Sequence, residues 1–178
     1  MLAYSASALV VGAGVAWGIG VERLTRFASR LLPPAGPKTL PDLSYPIIDG
    51  RRIGPEHLAG RVTLVSFWAT SCGICVAEMP DLVALHSRYA RRGFELLAIA
   101  MPYDRPDHVL DFARRRALPF PVALDPTGAA VAAWGGILGT PTAWLVAPDG
   151  RVVAQWIGRL DIDRVRARIE SLLPRPAA

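Results

Sequence analysis

The sequence predicts an α/β protein: a three-layer α/β/α sandwich around a central mixed sheet, preceded by an N-terminal membrane-spanning helix. Three observations predict it. Over residues 42–178, β-branched and aromatic runs alternate with segments of helical periodicity, an order that calls for a sheet with helices on both faces. Near the C-terminus, Pro148-Asp149-Gly150 separates two strand-like runs, the signature of an antiparallel hairpin, so the sheet is mixed. At the other end, Leu2 to Val21 is a stretch of twenty residues without a charge, long enough as a helix to cross a hydrocarbon core at about 1.5 Å per residue.

The chain has 178 residues, one domain's worth plus a tail. With 52% apolar and 20% charged residues it can build a packed core and is too apolar for a disordered chain. The formal charge of +5 raises the question of a nucleic-acid partner. Its distribution excludes one: residues 1–40 carry a net +3, which leaves only +2 for residues 41–178. All but one of the 20 basic residues are Arg, a compositional bias rather than a phosphate-binding surface.

Residues 1–31 read as a membrane anchor, with a signal peptide as the alternative. No small-x-small cleavage site follows the apolar run, where Glu22-Arg23-Leu24-Thr25-Arg26 stands instead. The flanking charges follow the span, so the positive-inside rule on its own places the C-terminal domain in the cytoplasm; long domains can override that bias. Residues 32–41 hold four prolines and read as an extended linker to the domain at 42–178.

Within that domain, a short strand pair is expected over residues 43–48 and 51–53, turned at Asp49-Gly50. Residues 62–68, VTLVSFW, read as a buried strand. A helix runs from the cysteines toward Arg91, with Met79, Leu82, Val83, Leu85 and Tyr89 on its apolar face, and Gly93 ends it. Residues 94–101 form a second strand, residues 106–117 a helix with Val109, Leu110, Phe112 and Ala113 inward, and residues 120–124 a short strand. A brief helix over 128–134 precedes hairpin strands at 142–147 and 151–156. Asp161 caps a last amphipathic helix carrying Ile162, Val165, Ile169, Leu172 and Leu173.

Cys72 and Cys75 are the only cysteines, spaced as a redox or metal pair and too close to staple distant parts of the chain. A strand running into a helix puts Cys72 at the helix N-terminus, where unpaired N–H groups and the macrodipole stabilise a thiolate. Cys72 is therefore expected to have a depressed pKa and to be the nucleophile. Cys75, one turn deeper on the same face, is placed to attack the mixed disulfide formed at Cys72 and release the product. Half of a four-ligand zinc site is the competing use of such a pair, but His57, His86 and His108 are scattered singly and read as surface or packing residues.

The block FWATSCGICVAEMP resembles the active-site signature of thioredoxin-fold proteins, and most closely the TlpA/ResA-like thiol-disulfide oxidoreductases. Glu78, three residues after the second cysteine, and Pro80 after it favour this subgroup over plain thioredoxin. The similarity continues through Gly139-Thr140-Pro141-Thr142-Ala143-Trp144-Leu145-Val146 and Pro148-Asp149-Gly150, and covers residues 40–173. It implies a thioredoxin-like fold and no cofactor beyond the dithiol. Pro141 matches the family's cis-proline beside the dithiol, an X–Pro bond being the kind that tolerates cis. Thr140 matches the residue whose backbone pairs with an extended substrate. Glu78 matches the glutamate near the buried cysteine, where apolar surroundings raise a carboxyl pKa and allow a proton relay with Cys75.

Two positions depart from the pattern. Ser71 stands where the family usually has tryptophan, which removes aromatic cover over the sulfur, and Ser66 stands where thioredoxin has a buried acid. Trp68 and Trp144 read as core residues.

The resemblance implies a membrane-anchored, extracytoplasmic (periplasmic) reductase of selected protein disulfides, fed by a membrane thiol-disulfide electron donor, with cytochrome c maturation as the family's best-known task. A peroxidase of the peroxiredoxin kind is excluded, because its motif needs proline and threonine or serine where Val65 and Ala69 stand. Two alternatives remain for the same dithiol: a soft-metal chaperone holding Cu(I) without turnover, and an oxidant that inserts disulfides.

Overall fold

The computed structural model describes residues 36–174, so the expected membrane helix and the first part of the linker lie outside the described residues. Among the described residues, no helix is long and apolar enough to cross a membrane. The elements in chain order are β1 (Tyr45–Pro46), β2 (Arg52–Ile53), α1 (Pro55–Leu58), β3 (Val62–Trp68), α2 (Gly73–Tyr89), β4 (Phe94–Ala100), α3 (Pro106–Arg115), β5 (Val122–Leu124), α4 (Ala129–Ala133), β6 (Thr142–Val146), β7 (Val152–Ile157) and α5 (Ile162–Leu172).

Five strands form one mixed sheet in the order β5-β4-β3-β6-β7. β3, β4 and β5 are parallel, whereas β6 runs antiparallel to both β3 and β7. The crossovers through α2 and α3 step in one direction along the sheet, and right-handed connections then place both helices on the same face. α5 joins them: Met79 and Leu82 of α2, Val109 and Ala113 of α3, and Val165 and Ile169 of α5 pack over Leu64, Leu96, Ala98 and Leu145. The opposite face is covered by the small hairpin, α1 and α4, through Tyr45, Ile53, Leu58 and Trp134 against Val65, Phe67, Leu97 and Trp144. Alternate residues of each central strand thus serve two cores, which is why β3 is buried along its whole length.

Sequence reading missed α1, a single turn opened by Pro55. Two strands are shorter than expected: β5 starts at Val122 rather than Phe120, and β1 is confined to Tyr45–Pro46. At β5, Pro121 lacks the N–H that would extend the ladder, although its carbonyl still accepts from the Ala98 N–H at 3.0 Å. The active-site helix ends as expected, through a 3-10 turn (Ala90–Arg92) and Gly93 at φ 93°. Asp161 caps α5, its side chain accepting from the Arg164 N–H.

The hairpin turn between β6 and β7 also gathers in the chain that leads to the domain. The Val152 N–H donates to the Lys38 carbonyl and the Leu40 N–H to the Gly150 carbonyl, each at 2.8 Å. Gly36 lies so close to buried Trp144 that a Cβ there would stand 2.7 Å from the indole Nε1.

Candidate active site

β3, the central strand, carries the chain to the C-terminal end of the parallel strands, where a turn closed by the Cys72 N–H on the Ala69 carbonyl (3.1 Å) opens α2. Cys72 is the N-cap of that helix, and its Sγ accepts the Cys75 N–H at 3.2 Å. Sulfur thus takes the place of the usual capping oxygen, and a Cys72 thiolate gains a charge-assisted bond from an N–H the helix itself leaves unpaired. The two cysteines form a disulfide, with Cα atoms 5.2 Å apart. Cys72 is half-buried and Cys75 fully buried, so an incoming thiol or disulfide meets Cys72 first.

The loop before β6 closes over the sulfurs. The Thr140–Pro141 peptide is cis, and the Thr140 carbonyl oxygen lies 3.6 Å from Cys72 Sγ. The segment is held from both sides: the Thr142 hydroxyl donates to the Gly139 carbonyl at 2.7 Å, and the Gly158 N–H donates to the Pro141 carbonyl at 2.8 Å.

Glu78 lies one turn beyond Cys75 and is 3% exposed, which removes the solvent-facing alternative for this residue. Its Oε2 accepts the Leu160 N–H at 3.1 Å. Burial pushes its pKa up; the Leu160 amide and the charge of Arg159 pull it back in part.

Thr70, two residues before Cys72, is gripped from the neighbouring loop after β4. Its N–H donates to Asp104 Oδ2 and its hydroxyl to Asp104 Oδ1, both at 2.6 Å. Around this assembly stand the large exposed apolar side chains of the described residues: Ile74 (50% exposed), Tyr103 (64%), Leu138 (82%) and Ile157 (71%). Ile74 sits between the cysteines, Tyr103 beside Asp104 and Leu138 two residues before Thr140. Ile157 pairs with Thr142 in the sheet.

A family model described as Redoxin matches residues 34–169. This chain belongs to the Redoxin family. Within the family it is similar to the thiol-disulfide oxidoreductase ResA of Bacillus anthracis and that of Bacillus thuringiensis strain Al Hakam, each 31% identical and covering 77% of this chain and 78% of the relative. Among solved structures it resembles a putative thioredoxin from Neisseria meningitidis, at 32% identity and a TM-score of 0.70 over 76% of this chain and 89% of that one. A putative thiol:disulfide interchange protein DsbE from Chlorobium tepidum has a TM-score of 0.70 at 25% identity, over 77% of this chain and 96% of that one. This Redoxin is a thioredoxin-fold thiol-disulfide oxidoreductase of the ResA-like kind, and Cys72–Cys75 is its C-x-x-C pair.

Of the residues singled out from sequence, the structure brings Cys72, Cys75, Thr140 and Pro141 together at one end of the central strands and buries Glu78 one turn below. Trp68 and Trp144 lie in the core, each 1% exposed. His86 is not near the dithiol: it packs on Phe120 and pairs with Glu95 at 3.2 Å. Thr70 and Asp104 were missed. The available signal was an acid in the Met101-Pro102-Tyr103-Asp104 loop at the C-terminal end of β4, the edge where open α/β sheets place their chemistry.

Proposed function

We propose that this Redoxin is a reductase of selected protein disulfides, tethered by residues 1–31 to the cytoplasmic membrane with its catalytic domain outside the cytoplasm. The observation that carries the reading is the asymmetry of the pair: Cys72 half-buried and capped by an N–H donor, Cys75 buried behind it. The Cys72 thiolate attacks a substrate disulfide, forming a mixed disulfide and expelling one substrate thiolate. Cys75, deprotonated with Glu78 as the proton acceptor, then attacks Cys72 Sγ, forming the Cys72–Cys75 disulfide and releasing the second substrate thiolate. Substrate is thereby reduced by two electrons and the enzyme dithiol oxidised. A membrane thiol-disulfide partner restores the dithiol by the reverse exchange, and cytochrome c maturation is the task this assignment favours.

Thr140 and Pro141 serve as the substrate-pairing edge, and the exposed apolar side chains around them favour a polypeptide over a small charged disulfide. The uncharged run from Leu2 to Val21 supports the tether, and the ResA relatives support the extracytoplasmic placement against the charge bias that follows the span.

The test is the reduction potential of the Cys72–Cys75 couple in the full chain, equilibrated against glutathione buffers. A value near or below thioredoxin's, roughly −270 mV, is expected; a value near roughly −120 mV makes the protein an inserter of disulfides. Stoichiometric Cu(I) retention without exchange activity makes it a metal chaperone.

A further inference from the structure

We propose that Asp104 is the positioning residue for Cys72, acting through Thr70; the inference rests on Cys72 being the attacking sulfur. The carboxylate takes both hydrogen-bond donors of one residue, the Thr70 N–H and the Thr70 hydroxyl, at 2.6 Å each. Two parallel bonds to one carboxylate fix the direction of a peptide as well as its place. The contact spans 34 residues of sequence and joins the loop after β4 to the loop after β3. Only Ser71, which is exposed, separates the gripped residue from Cys72.

Asp104 is itself held. Its N–H donates to the Met101 carbonyl and the Met101 N–H to the Trp68 carbonyl, both at 2.9 Å, so the two loops continue the β3–β4 ladder beyond its last pair. The neighbouring Arg105 turns away and pairs with Asp107 at 2.7 Å, which leaves the Asp104 carboxylate committed to Thr70.

Two effects of this carboxylate on Cys72 oppose each other. Its negative charge disfavours a nearby thiolate, whereas its grip on Thr70 holds Cys72 Sγ in line with the Cys75 N–H, which favours one. The grip dominates. An asparagine at position 104 separates the two: its carbonyl can accept the Thr70 N–H and its amide can donate to the Thr70 hydroxyl, which keeps the grip and removes the charge.

The experiment measures the alkylation rate of Cys72 against pH in the reduced full chain, with mass spectrometry to assign the sulfur, and the reduction potential of the same variants. Asp104→Ala is expected to raise the Cys72 midpoint by about one pH unit, a roughly tenfold loss of thiolate at pH values below it, and to make the couple more reducing. Asp104→Asn is expected to stay within a few tenths of wild type, and Thr70→Val, which loses one of the two bonds, to rise by less than the alanine variant. Should the alanine variant fail to fold, Thr70→Val carries the test. Unchanged midpoint and potential in Thr70→Val and in any folded Asp104→Ala overturn the inference, as does a fall in midpoint in both Asp104 variants, which is the signature of charge alone. A wild-type Cys72 midpoint near that of an ordinary cysteine, or Cys75 alkylated first, instead overturns the attack role and the inference with it.

Discussion

The two ends of the central sheet are built by opposite rules. At the end where β6 turns into β7, the chain closes on itself: Asp149 accepts the Arg151 N–H at 3.1 Å and its Nε–H at 2.7 Å, and the Gly150 N–H donates to the Ala147 carbonyl at 2.9 Å. At the dithiol end, the contacts that gather the site around the local Cys72–Cys75 pair reach far along the chain. Thr70 meets Asp104, Cys72 meets Thr140 and Glu78 meets Leu160, across 34, 68 and 82 residues. The β6–β7 turn is itself a local conformational solution onto which Lys38 and Leu40 are added by backbone bonds, and its failure costs stability. The dithiol end exists only once the sheet has brought β3, β4, β6 and the loop after β7 together, and its failure costs chemistry.

The sharpest separation of the ends comes from the cysteines. Cys72→Ser is expected to reduce thiol-disulfide exchange to the uncatalysed background, because the buried Cys75 cannot replace it as the entry point. Cys75→Ser keeps the first half of the reaction and should accumulate mixed disulfides, visible as adducts on a non-reducing gel that collapse with reductant. A Cys75→Ser protein with full turnover and no adducts reverses the roles of nucleophile and resolver.

Glu78 tests the same end less severely. Glu78→Gln can still accept the Leu160 N–H, so it removes a titrating group while keeping the contact. The resolving step is expected to slow by about 10²-fold near neutral pH, read as longer-lived mixed disulfides. The burial that raises the Glu78 pKa also sets a sign for stability. A carboxyl whose folded pKa lies above its unfolded value contributes fully below about pH 4.3, the unfolded value, and that contribution is lost as pH rises through the folded one. Glu78→Gln should therefore gain on wild type in thermal melts as pH rises across this window. Equal pH dependence in both proteins places the charge elsewhere.

The same division explains what the sequence made legible. Periodicity marks the elements because each central strand feeds one core with its even positions and another with its odd ones, as Leu64 and Leu96 against Val65 and Leu97 do. The Asp-Gly turns and the cap at Asp161 are local chemistry and stand in the sequence as such. The C-x-x-C pair and Pro141 are legible because short motifs carry them. Alternation of strands and helices did not reveal that α2, α3 and α5 share one face while the hairpin, α1 and α4 cover the other; strand order decides that. Asp104 was invisible for the same reason. Its place in the loop after β4 is the one local mark it carries, and its partner Thr70 comes within reach only because β3 and β4 are neighbours in the sheet.

The smallest effect is expected at the far turn. Gly150 sits at φ 83°, and a Cβ added there would meet nothing within 4 Å, so Gly150→Ala isolates the backbone cost of the left-handed region from any steric clash. That cost is about 1–2 kcal/mol, a fall of roughly 2–4 °C in melting temperature for each kcal/mol in a domain of this size. Exchange activity at 25 °C and the Cys72 alkylation profile should stay at wild-type values, because the hydrogen bonds lost or strained lie among residues 38–40 and 147–152, at the opposite end of β6 from Pro141. A change in the Cys72 profile on Gly150→Ala would mean that the hairpin transmits its geometry along β6 to the cis peptide, and that the two ends of the sheet are one mechanical unit.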